Sequence, residues 1–178
     1  MVPKTVIKLI DEAIIPAILL ISAKIFGLIG ASLIFGLPFS IHGRKILAIL
    51  PSVQFANFQD YIVAENYSNL AMFIAAAAGT MYILVKAHFF HESHIHPKLQ
   101  AKLAKLNLES LITPSYHLYH QAAIWLTFLW LTVAFMFISS ILKITYPQIT
   151  IIAFIVAANF SWVFAIDVEK EIELSRET

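Results

Sequence analysis

Four long apolar stretches, separated by short polar segments, dominate the chain. A helix needs about 20 predominantly apolar residues to cross about 30 Å of hydrocarbon. These stretches are continuously apolar and do not alternate with a period of two, which is the pattern of a membrane β-barrel strand. The sequence therefore predicts an all-α fold, a four-span transmembrane helical bundle in one integral membrane domain. The predicted spans are Ala13–Ile41, Leu70–Phe90, Ala122–Leu142 and Ile149–Ile166.

Composition agrees with a membrane protein and excludes several function classes. Of the 178 residues, 60% are hydrophobic and 13% are charged, and the mean hydropathy is +0.80. A soluble chain carries roughly a quarter charged residues. There is no cysteine, which excludes disulfides, thiolate catalysis and Cys-based metal sites. A net charge of +1 predicts no nucleic-acid partner. The lipid bilayer is the partner that composition does predict.

The distribution of Lys and Arg predicts the orientation, because positive residues in short loops tend to stay in the cytoplasm. Four crossings place both termini on one side, and the predicted side is cytoplasmic. The cytoplasmic segments would then hold Lys4, Lys8, Lys86, Lys98, Lys102, Lys105, Lys170 and Arg176. The opposite side would hold only Arg44, Lys45 and Lys143.

The first apolar stretch is longer than a crossing requires and contains Pro16 and Lys24. Two interpretations fit. It is either one tilted helix, or an interfacial helix over Val6–Lys24 followed by a crossing over Ile25–Ile41. In the second case Lys24 reaches the headgroups by extending its side chain along the apolar surface.

Two connecting segments also have a predicted structure. In Lys98–Ser110 the polar and leucine positions recur at helical spacing, which indicates an amphipathic helix on the cytoplasmic surface. Between the first two spans, Pro51 and Ser52 could begin a short helix that carries aromatic side chains to the membrane interface.

Most of the histidines lie beside the second connecting segment, and they are the residues most able to carry chemistry. The candidate metal ligands are His88, His91, Glu92, His117 and His120. Residues three or four apart share a helix face, and two antiparallel helices that each give a His pair can form a metal site. The candidate cofactors are a transition metal or haem b, which needs one His from each helix. The alternative is an interfacial cluster at the headgroups.

Lys24 is the intramembrane charge that needs a partner, and the predicted second and third spans contain no carboxylate. The simplest explanation is that its side chain extends to the headgroups, and a carboxylate from another subunit would also satisfy it. Small residues at Gly27, Gly30, Ala71, Ala75 and Gly79 favour close helix packing within the bundle.

The sequence contains no nucleotide motif and no dense polar pathway, so we expect no catalytic activity from this chain alone. The leading hypothesis is an accessory or structural subunit of a larger membrane complex, for example a respiratory or other oxidoreductase assembly, held by other membrane subunits or by self-association. The second is a metal-binding or haem-binding membrane protein that uses the His cluster. The third is a small oligomeric channel or transporter that uses Lys24 and Glu65.

Overall fold

The computed structural model describes residues 4–42, 52–89, 95, 97–108 and 115–177. Helices account for most of these residues, and a two-stranded hairpin joins the first two long helices. The elements are α1 (Lys4–Ile34), β1 (Phe39–His42), β2 (Ser52–Phe55), α2 (Phe58–Phe89), α3 (Pro97–Lys105), α4 (Ser115–Ile141) and α5 (Pro147–Glu177).

The helices α1, α2, α4 and α5 are long and apolar enough to cross a membrane, and each overlaps one of the four predicted spans. The predicted first span extends beyond the observed helix, because α1 ends at Ile34 and not at Ile41. Gly36 has a φ of +62°, and Leu37 N–H donates to the Ser32 carbonyl at 2.8 Å, which is a common helix end. Before that end, α1 is one continuous helix that includes the buried Pro16.

The segment before α2 differs from its prediction. Ser52 begins a strand and not a short helix, and β2 pairs with β1 in antiparallel register, with Phe39 opposite Phe55. The residue that caps the start of the next helix, α2, is Asn57. Its side-chain oxygen accepts from Asp60 N–H at 2.8 Å, and its amide donates to the Asp60 carboxylate, so the first turn of α2 is capped.

The predicted amphipathic helix in Lys98–Ser110 is present as α3 and ends at Lys105. Asn107 has a φ of 54°, and Leu108 N–H donates to the Leu103 carbonyl at 2.9 Å. Leu103 is buried while Lys98 and Lys102 are exposed, as expected for an amphipathic helix.

The helices α2 and α4 form the centre of the bundle, since they pack on each other and each contacts α1 and α5. Antiparallel neighbours bring the start of α1, the end of α2, the start of α4 and the end of α5 together, and we call this the terminal end. The opposite end, with the β hairpin and the α4–α5 turn, is the hairpin end. The apolar core lies between them and consists of Leu20, Met72, Phe73, Ala76, Leu126, Leu129, Val133, Met136, Ala153 and Ala157.

Large apolar side chains also cover the outside of the bundle. Phe26 of α1 is 74% exposed and Trp162 of α5 is 71% exposed. A soluble monomer rarely exposes a continuous apolar surface of this extent.

Candidate functional site

Polar side chains from α1, α2 and the α4–α5 turn meet at the hairpin end, where Lys24 lies at the centre of a network. Its ammonium donates to Glu65 Oε1 at 2.5 Å and to Asn69 Oδ1 at 2.7 Å. The Asn69 amide in turn donates to Thr145 Oγ1 at 2.8 Å, which connects α1 and α2 to the α4–α5 turn. Lys24 therefore has its partner within its own chain, and neither another subunit nor the headgroups are needed to satisfy it.

Asn66 fixes the α4–α5 turn against α2 at the same level. Its amide nitrogen donates to the Ile144 carbonyl at 2.9 Å, and its oxygen accepts from Tyr146 N–H at 2.6 Å. One side chain thus satisfies two backbone groups that the turn would otherwise leave unpaired. We call Lys24, Glu65, Asn66, Asn69 and Thr145 the hairpin-end layer.

A second group of polar contacts lies at the terminal end. His88 Nδ1 is 3.3 Å from Asp167 Oδ1, which links α2 to α5. Tyr119 O–H donates to the Asp167 carbonyl at 3.3 Å, and His120 Nε2 is 3.4 Å from Glu12 Oε2, which links α4 to α1. We call Glu12, His88, Tyr119, His120 and Asp167 the terminal-end layer.

The candidate metal ligands His88 and His120 each lie beside a carboxylate on another helix, Asp167 of α5 and Glu12 of α1. His91 and Glu92 lie outside the described residues. In the described part of the chain, no group of three or more His, Asp or Glu side chains is close enough to hold a metal ion. The structure thus gives no support to the metal or haem hypothesis, which stays a prediction.

A groove of about 390 Å³ lies at the terminal end between α1, α2 and α4. Asp11, Glu12 and Gln121 contribute its polar wall, and Pro16 and Trp125 contribute apolar surface. Beside this groove, the largely buried Glu12 carboxylate contacts His120 Nε2. Glu12 thus connects α1 to α4.

Small residues allow the close helix packing that the sequence predicts. A Cβ atom on Gly27 would lie 2.6 Å from Ala71 Cβ, so the glycine is what allows α1 to approach α2. A Cβ atom on Gly79 would overlap the Trp125 ring, which therefore lies directly over the glycine. Gly30 differs, because a Cβ there would meet nothing within 4 Å.

Isolated polar side chains in the apolar stretches take two different positions. Thr80 O–H lies 3.3 Å from the Trp125 carbonyl, and Trp130 Nε1–H donates to Ser161 Oγ at 2.9 Å, so these groups bond within the bundle. Asn159 of α5 instead faces outward. Its amide donates to the Ile155 carbonyl at 2.7 Å, and its Oδ1 has no hydrogen-bond partner among the described residues.

Sequence reasoning placed Glu65 in a connecting segment and missed Asn66 and Asn69, because these polar residues lower the hydropathy at the start of α2. A signal was nevertheless present. Glu65 and Asn69 are four residues apart, which places them on one helix face. That face continues into Met72, Phe73 and Ala76, so extending the apolar periodicity backwards would have included them.

Comparison of the chain with models of protein families, with curated proteins and with solved structures finds no match.

Proposed function

We propose that this chain is a four-span membrane protein that acts as a structural subunit of a membrane protein assembly and joins its partner through α5. The outward-facing Asn159 carries the proposal. An amide that faces hydrocarbon is unfavourable, whereas an amide between packed membrane helices forms hydrogen bonds that hold them together. An adjacent membrane helix would supply the hydrogen-bond donor that Asn159 Oδ1 lacks in the isolated bundle.

The spacing of the two polar layers supports membrane insertion. Asn69 and His88 are 19 residues apart on α2, which corresponds to about 28 Å of helix. Pro147 and Asp167 are 20 residues apart on α5, or about 30 Å. Both distances match the thickness of a bilayer's hydrocarbon core, about 30 Å. On α1, Glu12 and Lys24 are only 12 residues apart, or about 18 Å, so Lys24 starts from within the apolar length and joins the layer through its contacts with Glu65 and Asn69. The apolar core and the exposed apolar side chains would then lie in lipid, with a polar layer at each boundary.

The contacts inside the layers also favour a structural role. The ionisable side chains of the hairpin-end layer bond to groups on neighbouring helices, so they connect the bundle. Ten buried apolar side chains fill the space between the layers. A rigid bundle with an apolar perimeter is suited to support other membrane segments.

Site-directed labelling tests the orientation. The chain has no native cysteine, so each introduced cysteine is the only reactive thiol. We expect Lys143→Cys, in the α4–α5 turn, to react with a membrane-impermeant maleimide added to intact cells. Asn107→Cys, after α3, should react only after permeabilisation. The opposite pattern would reverse the proposed orientation, and equal reaction of both sites in intact cells would contradict a crossing by α4, the long helix between them.

Photo-crosslinking in native membranes tests the assembly. A photoreactive amino acid at Trp162, one turn from Asn159, should give a product with the mass of this chain plus a protein. The matched control is Phe26, which is similarly exposed and lies on α1 and not on α5. We expect mainly lipid products from Phe26. If both positions gave only lipid products, the proposed assembly through α5 would be wrong.

A further inference from the structure

The exposed face of α5 has a regular pattern around Asn159. The spacing of its central positions alternates between three and four residues, which is the heptad repeat of two helices that pack along a shared seam. All five side chains are exposed in the isolated bundle. These residues, which we call the α5 seam, are Ile152, Ile155, Asn159, Trp162 and Ile166.

The position of Asn159 within the seam is the second observation. It lies 12 residues after Pro147 and 8 residues before Asp167, near the middle of the apolar length of α5. In heptad terms it occupies the same kind of position as Ile152 and Ile166. A single Asn at such a position in an otherwise apolar seam is known to fix the register and the number of helices that associate.

We propose that the occupant of the α5 seam is a second copy of this chain, packed in parallel about a two-fold axis perpendicular to the membrane. This inference rests on the proposed function and identifies its partner. An amide group is self-complementary, because each copy offers an N–H donor and a carbonyl acceptor to the other. Two copies inserted with the same orientation place both Asn159 amides at the same depth, so the two-fold axis brings them face to face.

The outward face of α1 provides a contrast within the same molecule. Its exposed positions between Ile14 and Ile34 are aliphatic or aromatic, so lipid chains can cover them without leaving a polar group unsatisfied. The α5 seam has the same apolar character with one amide at its centre. That amide requires a polar partner, and a second copy is the partner that supplies an identical group in register.

Cysteine crosslinking in native membranes tests this inference with a pair of adjacent residues. Ile155 lies in the seam and is 53% exposed, whereas Phe154 lies on a different face of the helix and is 54% exposed. We expect Ile155→Cys to form a disulfide-linked dimer of this chain on mild oxidation, and Phe154→Cys to form little. Adding Asn159→Leu to Ile155→Cys should weaken dimerisation about ten-fold, while Asn159→Gln should preserve most of it because the amide remains.

Each outcome separates the inference from the proposed function. Equal dimer formation at both cysteines, or a dimer unaffected by Asn159→Leu, would overturn the second-copy seam. A bifunctional reagent that links Ile155→Cys to a different protein would also overturn it, but would leave the proposed assembly intact. No protein product at Ile155 would contradict both. The unfolding midpoint of Asn159→Leu in detergent should match the native midpoint, since the side chain faces outward. A matching midpoint would show that the variant loses the dimer and still folds.

Discussion

The hairpin-end layer and the terminal-end layer both connect long helices, but the contacts of the terminal-end layer are longer, and its His88 side chain is more exposed. At the hairpin end, Lys24 and Glu65 are largely buried and their contacts are 2.7 Å or shorter. At the terminal end, the His88 imidazole is 52% exposed and its contact with Asp167 is 3.3 Å long. Buried charges depend fully on their partners, whereas exposed ones can exchange a partner for water. We therefore expect the hairpin end to determine the stability of the bundle and the terminal end to tolerate change.

Breaking the Lys24–Glu65 pair should have the largest effect. Glu65→Leu leaves the partly buried Lys24 ammonium without its carboxylate, which should lower the free energy of unfolding by about 3–5 kcal/mol. The measurement is a denaturant titration of the purified protein in mild detergent. The double variant Lys24→Met, Glu65→Leu should recover most of the loss, because it leaves no charge behind. A single variant within about 1 kcal/mol of the native protein would show that the pair does not hold the layer together.

Removing the Asn66 side chain should have the next largest effect. Asn66→Ala leaves the Ile144 carbonyl and the Tyr146 N–H without their partner, and each unsatisfied backbone group costs about 1–3 kcal/mol. We expect a total loss of about 2–4 kcal/mol in the same titration. Gln54→Ala in the exposed part of β2 is the control and should be nearly neutral. If both variants were equally stable, the α4–α5 turn would not depend on α2.

The contact between Gly79 and Trp125 packs α4 against α2 in the part of the bundle between the two layers, so a substitution there tests the packing that separates them. Gly79→Ala places a methyl group against the ring and should cost about 1–3 kcal/mol through overpacking. Gly30→Ala has open space and should be neutral or slightly stabilising, since alanine favours helix. Equal effects at the two glycines would mean that Trp125 moves aside without cost.

The smallest effect should come from the terminal-end layer. His88→Ala removes a 3.3 Å contact with Asp167 in which the imidazole is already 52% exposed, so we expect a loss below about 1 kcal/mol. Comparison with Glu65→Leu in one experiment tests the difference between the layers directly. A His88 variant as unstable as the Glu65 variant would reverse the order proposed for the two ends.

Features that depend on hydropathy averaged over many residues could be predicted from the sequence, whereas those that depend on individual side-chain contacts could not. Continuous apolar length predicted all four helices, and small residues predicted the close approach of α1 to α2 at Gly27. The partner of Lys24 could not be found in this way, because Glu65 is 41 residues away and lies outside the most apolar window. The outward position of Asn159 could not be predicted either, because the hydropathy of a uniformly apolar helix does not show which of its faces packs inside the bundle.

In the membrane-spanning arrangement that we propose, the fixed distance between the two layers has a consequence for where the protein can reside. Because the layers are tied to the same rigid helices, the bundle cannot shorten or lengthen its apolar band to suit its surroundings. A bilayer several ångströms thicker or thinner would have to deform locally or tilt the whole bundle, at a cost of fractions of a kcal/mol per ångström. The spacing between Asn69 and His88 therefore sets the bilayer thickness that the bundle matches, and the protein would concentrate in membrane regions of that thickness.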